Sequence, residues 1–184
     1  VTDKTGKAIV IEKTKEGFKV YENKVGVMTN APSFDWHITN LRQYMNATPV
    51  QPTSANWSDL ELTPLGSATG GIGLPGDFSS PSRFVRVAFL RAQILMEDIE
   101  NDGIIEFFHI LNNVAMVKGS VITKDGKDEI TQYSSCMNLE KGLYYYKSYN
   151  NNQINMLDMH KEDLDGSEMK IFPYNDIQVV NTLN

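Results

Sequence analysis

Residues 70–86, Gly70-Gly-Ile-Gly-Leu-Pro-Gly-Asp-Phe-Ser-Ser-Pro-Ser-Arg-Phe-Val-Arg86, hold four glycines and two prolines, so no regular strand or helix runs through their first half. The chain must turn there and then enter a helix. Ser80 is placed to cap that helix by accepting from a free N–H, and Pro81 suits the first helical position, where no donor is needed. Arg83 then falls in the first turn, where a cation opposes the positive end of the helix dipole. That placement points to an anionic or polarisable partner, although spacing alone leaves an ordinary surface arginine open.

The periodicities on either side of this turn set the fold class. Residues 7–12, 17–22 and 24–29 are short apolar or alternating runs, which predict a three-stranded meander. Residues 33–45 space Phe34, Ile38, Leu41 and Met45 for a helix with Ser33 as cap. From 46 to 80 the composition shifts to Pro, Ser, Thr, Asn and Gly, a length that compact domains seldom carry without a functional or assembly role. Two helices are expected over 81–99, with a stripe of Phe84, Val87, Ala88, Arg91, Leu95 and Ile99, and over 103–114, with Asn101-Asp-Gly103 as the break. Beyond them, 119–124 and 128–134 flank Asp125-Gly126, a type I′ hairpin signal. Residues 144–149 and 153–159 flank Asn150-Asn-Asn152 in the same way, and 168–173 reads as an edge strand. Strands, helices, strands is the order of an antiparallel α+β fold, not of an alternating parallel one.

Composition narrows the partners. A net charge of −6 disfavours nucleic acid and anionic membrane, both of which reward a basic face. No window approaches eighteen consecutive apolar residues, so no membrane span is expected. A single cysteine, Cys136, excludes an internal disulfide and fits a reducing cytoplasm. The opening Val1-Thr-Asp-Lys reads as a turn feeding a strand, as if the polypeptide were entered in mid-sheet; a fragment or processed chain of one domain is the expectation.

Few residues carry a chemical signal by themselves. His37, His109 and His160 are far apart, outside any paired metal motif, and read as structural. The acids of 96–102 and 161–165 lack calcium-loop spacing and read as solvated helix ends and turns. Cys136 has no adjacent base and reads as a buried small thiol. Asn30, at the end of Val27-Met-Thr-Asn-Ala-Pro32, remains: an amide at a strand end can aim an N–H at a developing oxyanion, or it can simply make its own turn. Arg83 is the other survivor.

Longer motifs decide between those alternatives. Gly26-Val-Met-Thr-Asn-Ala-Pro-Ser-Phe-Asp-Trp-His37, Asn40-Leu-Arg-Gln-Tyr44, Gly73-Leu-Pro-Gly-Asp-Phe-Ser-Ser-Pro-Ser-Arg-Phe-Val-Arg86, Tyr133-Ser-Ser-Cys136 and Tyr144-Tyr-Tyr-Lys-Ser-Tyr-Asn-Asn151 extend across nearly the whole chain. Together they resemble the choloylglycine hydrolases, the conjugated bile salt hydrolase and penicillin V acylase family of the N-terminal nucleophile superfamily. The resemblance implies the αββα sandwich of that superfamily, with about its second half present here, in the order antiparallel strands, helices, antiparallel strands. It implies an N-terminal cysteine nucleophile outside this chain, carried by an N-terminal half that acts as partner. By position Asn30 resembles the oxyanion-hole asparagine and Arg83 the arginine beside the nucleophilic sulfur. The loop 46–75 resembles an excursion that embraces a neighbouring subunit, which implies a homotetramer. The substrate implied is a small molecule, a glycine- or taurine-conjugated bile salt or alternatively penicillin V, with no cofactor and no metal. A non-catalytic binding or assembly subunit is the competing reading from another class.

Overall fold

The computed structural model describes residues 1–96 and 102–184, which divide into two compact units. Val1 with Ala8–Leu95 forms the first unit, and Thr2–Lys7 with Met96–Asn184 the second. Both pair their strands antiparallel, so the α+β class holds.

In the first unit β1 (Ile9–Thr14) and β2 (Gly17–Glu22) form a hairpin in register from Ile9 opposite Glu22 to Thr14 opposite Gly17. The third run, 24–29, is no strand. Asn23 turns the chain there, its side chain accepting from the Gly26 N–H at 2.8 Å and donating to the Val27 carbonyl at 3.2 Å. The Arg91 guanidinium then lies against Gly26, which has φ 67°, and a Cβ built there would fall 2.5 Å from Arg91 Cζ. Apolar alternation places Val25 and Val27 against the core correctly, but local side-chain bonds replace the ladder.

The first helix, α1 (Phe34–Leu41), continues as a 3-10 turn over Arg42–Tyr44. Ser33 occupies the cap position, yet its hydroxyl donates to the Asp35 carboxylate. The free Phe34 N–H is taken instead by the Glu12 carboxylate of β1, at 3.0 and 3.1 Å. An anion from a neighbouring strand thus sits at the positive helix end. The inward face runs Phe34, His37, Leu41, while Ile38 and Met45 of the expected stripe are exposed.

The second helix, α2 (Ser80–Gln93), stops short of the predicted 99: Leu95 is exposed, and Ile99 lies outside the described residues. Phe84, Val85 and Ala88 are buried. Phe84 and Ala88 join Val10, Val27 and Phe34 as the core, with Tyr21 tilted against Phe34 at 5.5 Å and Phe34 edge-on to Phe84 at 6.3 Å. Between the helices, the long loop is pinched where Thr48 N–H donates to the Gly70 carbonyl. Gly70 is obligatory at that closure, because a Cβ would lie 2.3 Å from the Val50 carbonyl oxygen. Inside the loop β3 (Ala55–Trp57) and β4 (Leu60–Leu62) make a short hairpin whose Trp57 and Leu60 are 74% and 61% exposed.

In the second unit α3 (Asp102–Asn112) contains Asp102 and Gly103, which the expected break placed before the helix; Asn101 lies outside the described residues. The Asp125-Gly126 turn exists but is not type I′. Gly126 has φ 75° and Asp125 does not share a positive φ, and the Gly126 N–H bonds to the Thr123 carbonyl. That geometry is a type I turn ending in a left-handed residue, and the flanking runs make one bridge, Ile122 with Asp128, rather than strands over 119–124 and 128–134. The strand starts later, as β5 (Tyr133–Asn138), and pairs with β6 (Leu143–Ser148), which pairs with β7 (Asn155–Asp158) across the Asn150-Asn-Asn152 turn. Residues 168–173 run as irregular chain, not an edge strand. The segment after them docks through side chains: Tyr174 stacks on Tyr146 at 5.9 Å, and buried Asn151 donates to the Asn175 carbonyl.

Candidate active site

The segment Thr29–Ala31 and the start of α2 meet in the first unit, and Asn30 and Arg83 meet there directly. Arg83 Nη2 donates to Asn30 Oδ1 at 2.7 Å, across 53 residues of sequence. Its Nε donates to the Phe78 carbonyl at 3.0 Å, which fixes the guanidinium plane. Because a guanidinium only donates, the contact must use the amide oxygen, and the Asn30 amide is oriented with its two N–H groups pointing away from the arginine. Asn30 is exposed and Arg83 half-buried, so both can be approached.

The turn that precedes α2 is held by the helix itself. Arg86 Nη1 donates to the carbonyls of Pro75 and Asp77, at 2.8 and 2.7 Å. The Asp77 carboxylate accepts from the Ser79 N–H at 2.8 Å and the Ser82 hydroxyl at 2.6 Å. Hydrogen bonds from Ser79 and Ser82 hold this carboxyl well below the usual carboxylate range. Asp77 therefore supplies the anion at the helix N-terminus, which offsets the cation that Arg83 brings to the first turn.

Ser80 is not the cap. Ser79 takes that position, and the Ser80 hydroxyl instead crosses to the Asn30 segment. It accepts from the Ala31 N–H at 3.0 Å and donates to Thr29 Oγ1 at 2.9 Å. Thr29 Oγ1 lies 3.1 Å from the Ser80 carbonyl, to which it donates, and 3.3 Å from His37 Nε2. Past it, Ala31–Pro32 is a cis peptide. The His37 ring is fully buried, stacked face to face on Phe84 at 4.4 Å and 6° and edge-on to Trp36 at 5.6 Å. Burial lowers its pKa, against the weaker opposing pull of the Glu12 carboxylate and the Pro32 carbonyl.

Sequence reasoning singles out Asn30 and Arg83 but does not reach what joins them. It assigns Ser80 to the cap and His37 to an isolated structural role, and it passes over Thr29. The available signal is the polar run Thr29-Asn30 opposite Ser79-Ser80, but contacts over about fifty residues have no periodicity. Cys136, on β5, has its thiol raised by burial, the opposite of what a nucleophile needs. Among the described residues no three His, Cys, Asp or Glu side chains converge as a metal site, and no helix is long and apolar enough to cross a membrane.

Residues 1–172 match the family of linear amide C–N hydrolases, choloylglycine hydrolase family. The chain is 53% identical over all of its 184 residues to the bile salt hydrolase/transferase of Clostridium perfringens, covering 56% of that protein. It is 44% identical over 173 residues, 94% of its length, to the bile salt hydrolase/transferase of Lactiplantibacillus plantarum, covering 53% of that protein. A crystal structure of a mutant conjugated bile acid hydrolase from Clostridium perfringens superposes with a TM-score of 0.89 at 54% identity, over 98% of this chain and 55% of that one. The chain belongs to the choloylglycine hydrolase family, and its fold is that of the N-terminal nucleophile hydrolases. It spans about half the length of the curated relatives it matches.

Proposed function

We propose that this chain is the part of a conjugated bile salt hydrolase that supplies the oxyanion donor and the arginine, and that Asn30 and Arg83 are those groups. The observation that carries the reading is the 2.7 Å bond from Arg83 Nη2 to Asn30 Oδ1. It turns the amide N–H groups outward on a segment anchored at both neighbours.

The chemistry follows from that geometry together with the family's N-terminal cysteine, which lies outside this sequence. The thiolate attacks the carbonyl carbon of the glycine or taurine amide, and the carbonyl electrons move to oxygen. Asn30 donates an N–H to that oxyanion, a bond that strengthens only as charge develops. The α-amino group of the cysteine relays the thiol proton to the leaving nitrogen, the C–N bond breaks, and the amino acid departs. Water then cleaves the thioester, releasing the bile acid. Arg83, permanently charged, favours thiolate over thiol beside it. Neither cofactor nor metal is required by any step.

The test is Asn30→Ala in the full-length enzyme, with release of glycine from glycocholate as readout. Losing one oxyanion donor costs about 10²–10³ in kcat. A turnover within twofold of the parent enzyme removes Asn30 from the site. Parallel assays with penicillin V fix the substrate class, since faster release of phenoxyacetate than of glycine overturns the bile salt reading. We further assign the loop 46–75 to assembly of a homotetramer, supported by the exposure of Trp57 and Leu60 on the β3–β4 hairpin.

A further inference from the structure

His37 is a costly residue for the place it occupies. Its ring is fully buried between Phe84 and Trp36, and its Nδ1 makes no well-formed hydrogen bond, with the Pro32 carbonyl as its polar neighbour. A phenyl ring would fill the same slot with no nitrogen to satisfy, and a buried polar atom short of a well-formed hydrogen bond is a liability to the fold. The well-formed hydrogen bond of the ring, at Nε2, is with Thr29 Oγ1. Thr29 directly precedes Asn30, and its hydroxyl also contacts the carbonyl and hydroxyl of Ser80, which lies three residues before Arg83. The Ser80 hydroxyl in turn takes the Ala31 N–H on the other side of Asn30. Asn30 is therefore held at both neighbours by α2, and the His37 ring backs the hinge of that clamp.

We propose that His37 is a positioning residue: stacked on Phe84, it locks the Thr29 hydroxyl onto Ser80 and so sets the Asn30 amide against the Arg83 guanidinium. The inference rests on the reading of Asn30 as the oxyanion donor. A displacement of an oxyanion donor by a fraction of an ångström weakens a bond needed in the transition state more than one needed for substrate binding. The loss should fall on kcat and spare KM.

The experiment compares His37→Phe, His37→Gln and Ser80→Ala with the parent full-length enzyme, measuring kcat, KM and melting temperature on glycocholate. His37→Phe keeps the ring stack and removes the poorly satisfied nitrogen, so melting temperature is expected to hold or rise while kcat falls about tenfold to a hundredfold with KM within twofold. His37→Gln, whose amide nitrogen reaches the position of Nε2, is expected to recover most of that loss. Ser80→Ala should reproduce the kcat defect, and combined with His37→Phe it should cost less than the product of the two, because both act on one clamp. A purely structural role predicts the reverse pattern, with activity tracking melting temperature and Gln no better than Phe. That pattern, or a kcat within twofold for His37→Phe, overturns the proposal. Should His37→Phe not fold, Ser80→Ala decides it by the same kcat and KM criterion. Asn30→Ala, run alongside, separates the two levels. If it is silent, the oxyanion reading and the positioning role fall together; if it costs 10²–10³ while the clamp variants are silent, only the positioning role falls.

Discussion

The junction of α1 with α2 and the β3–β4 hairpin, both in the first unit, treat side chains in opposite ways. At the junction polar groups are enclosed: His37 and Ser82 are buried, the Thr29 hydroxyl is partly so, and each makes a hydrogen bond there, while Phe84 is wholly out of solvent. On the hairpin, Trp57 and Leu60 stand in water on a two-stranded ribbon of three residues per strand. The junction completes itself from its own residues, whereas a ribbon that short has no stability of its own and leaves its largest apolar groups exposed. The clamp around Asn30 is held in fixed geometry by its own neighbours; the hairpin, proposed for assembly, leaves its apolar groups for a neighbour to cover.

The largest expected difference between them is in core stability. Phe84→Ala removes the ring on which His37 stacks and which meets Phe34, and large aromatic truncations in a core cost about 3–5 kcal/mol. The check is the denaturant midpoint at constant m-value. A cost below about 1 kcal/mol would mean that the junction collapses around the cavity, and the contrast with the hairpin would lose its basis.

How much of this contrast is legible in the sequence depends on range. The glycine-rich turn, the helix entered at about residue 80, the β1–β2 hairpin and the turn at Asn150-Asn-Asn152 are local, and backbone chemistry within a few residues fixes each of them. The run 24–29 misleads because alternation reports burial, not pairing: Val27 is buried as expected, but Asn23 and Arg91 supply the hydrogen bonds that a neighbouring strand would. α2 is also shorter than its stripe suggests, since apolar spacing continues past the last helical residue. At the site, the residue types can be named from their motif, but the bond between Asn30 and Arg83, and the clamp behind it, exist only because the fold brings distant segments together.

A smaller effect comes from the titration of His37. Above the ordinary histidine pKa of about 6.5 both folded and unfolded states hold it neutral. As pH falls below that value the unfolded chain takes up a proton that the buried ring does not, so stability falls until the lowered folded pKa is reached. One such group contributes a slope of at most about 1.4 kcal/mol per pH unit within that window. Denaturation of His37→Gln between about pH 6.5 and 5 should show a shallower decline than the parent, with the difference vanishing above about pH 7. Equal slopes would mean that the ring is protonated in the fold.

Glu12 carries the next effect, at the edge of the same junction. Its carboxylate takes the Phe34 N–H at the start of α1, so Glu12→Ala leaves a helix end uncapped, worth about 0.5–2 kcal/mol, typically about 1. Glu12→Gln keeps an acceptor and should recover part of it. No recovery would assign the whole effect to charge at the helix dipole.

The smallest effect on the protomer, and the one that bears hardest on the contrast, belongs to the hairpin. Trp57 and Leu60, exposed on the hairpin, contribute little to the fold of their own chain, so Trp57→Ser with Leu60→Ser should move protomer stability by no more than about 0.5 kcal/mol. Denaturation at a dilution where the full-length protein is already monomeric reads this term without the mass-action contribution of assembly. The same pair of substitutions should shift the sedimentation of the concentrated full-length protein from the proposed tetramer to smaller species, because apolar surface that a neighbour buries stabilises only the assembly. A protomer destabilised by several kcal/mol would show that the hairpin folds back onto its own chain, and an unchanged tetramer would take the loop 46–75 out of the interface. Either result dissolves the distinction between a region built to be complete and one built to be completed.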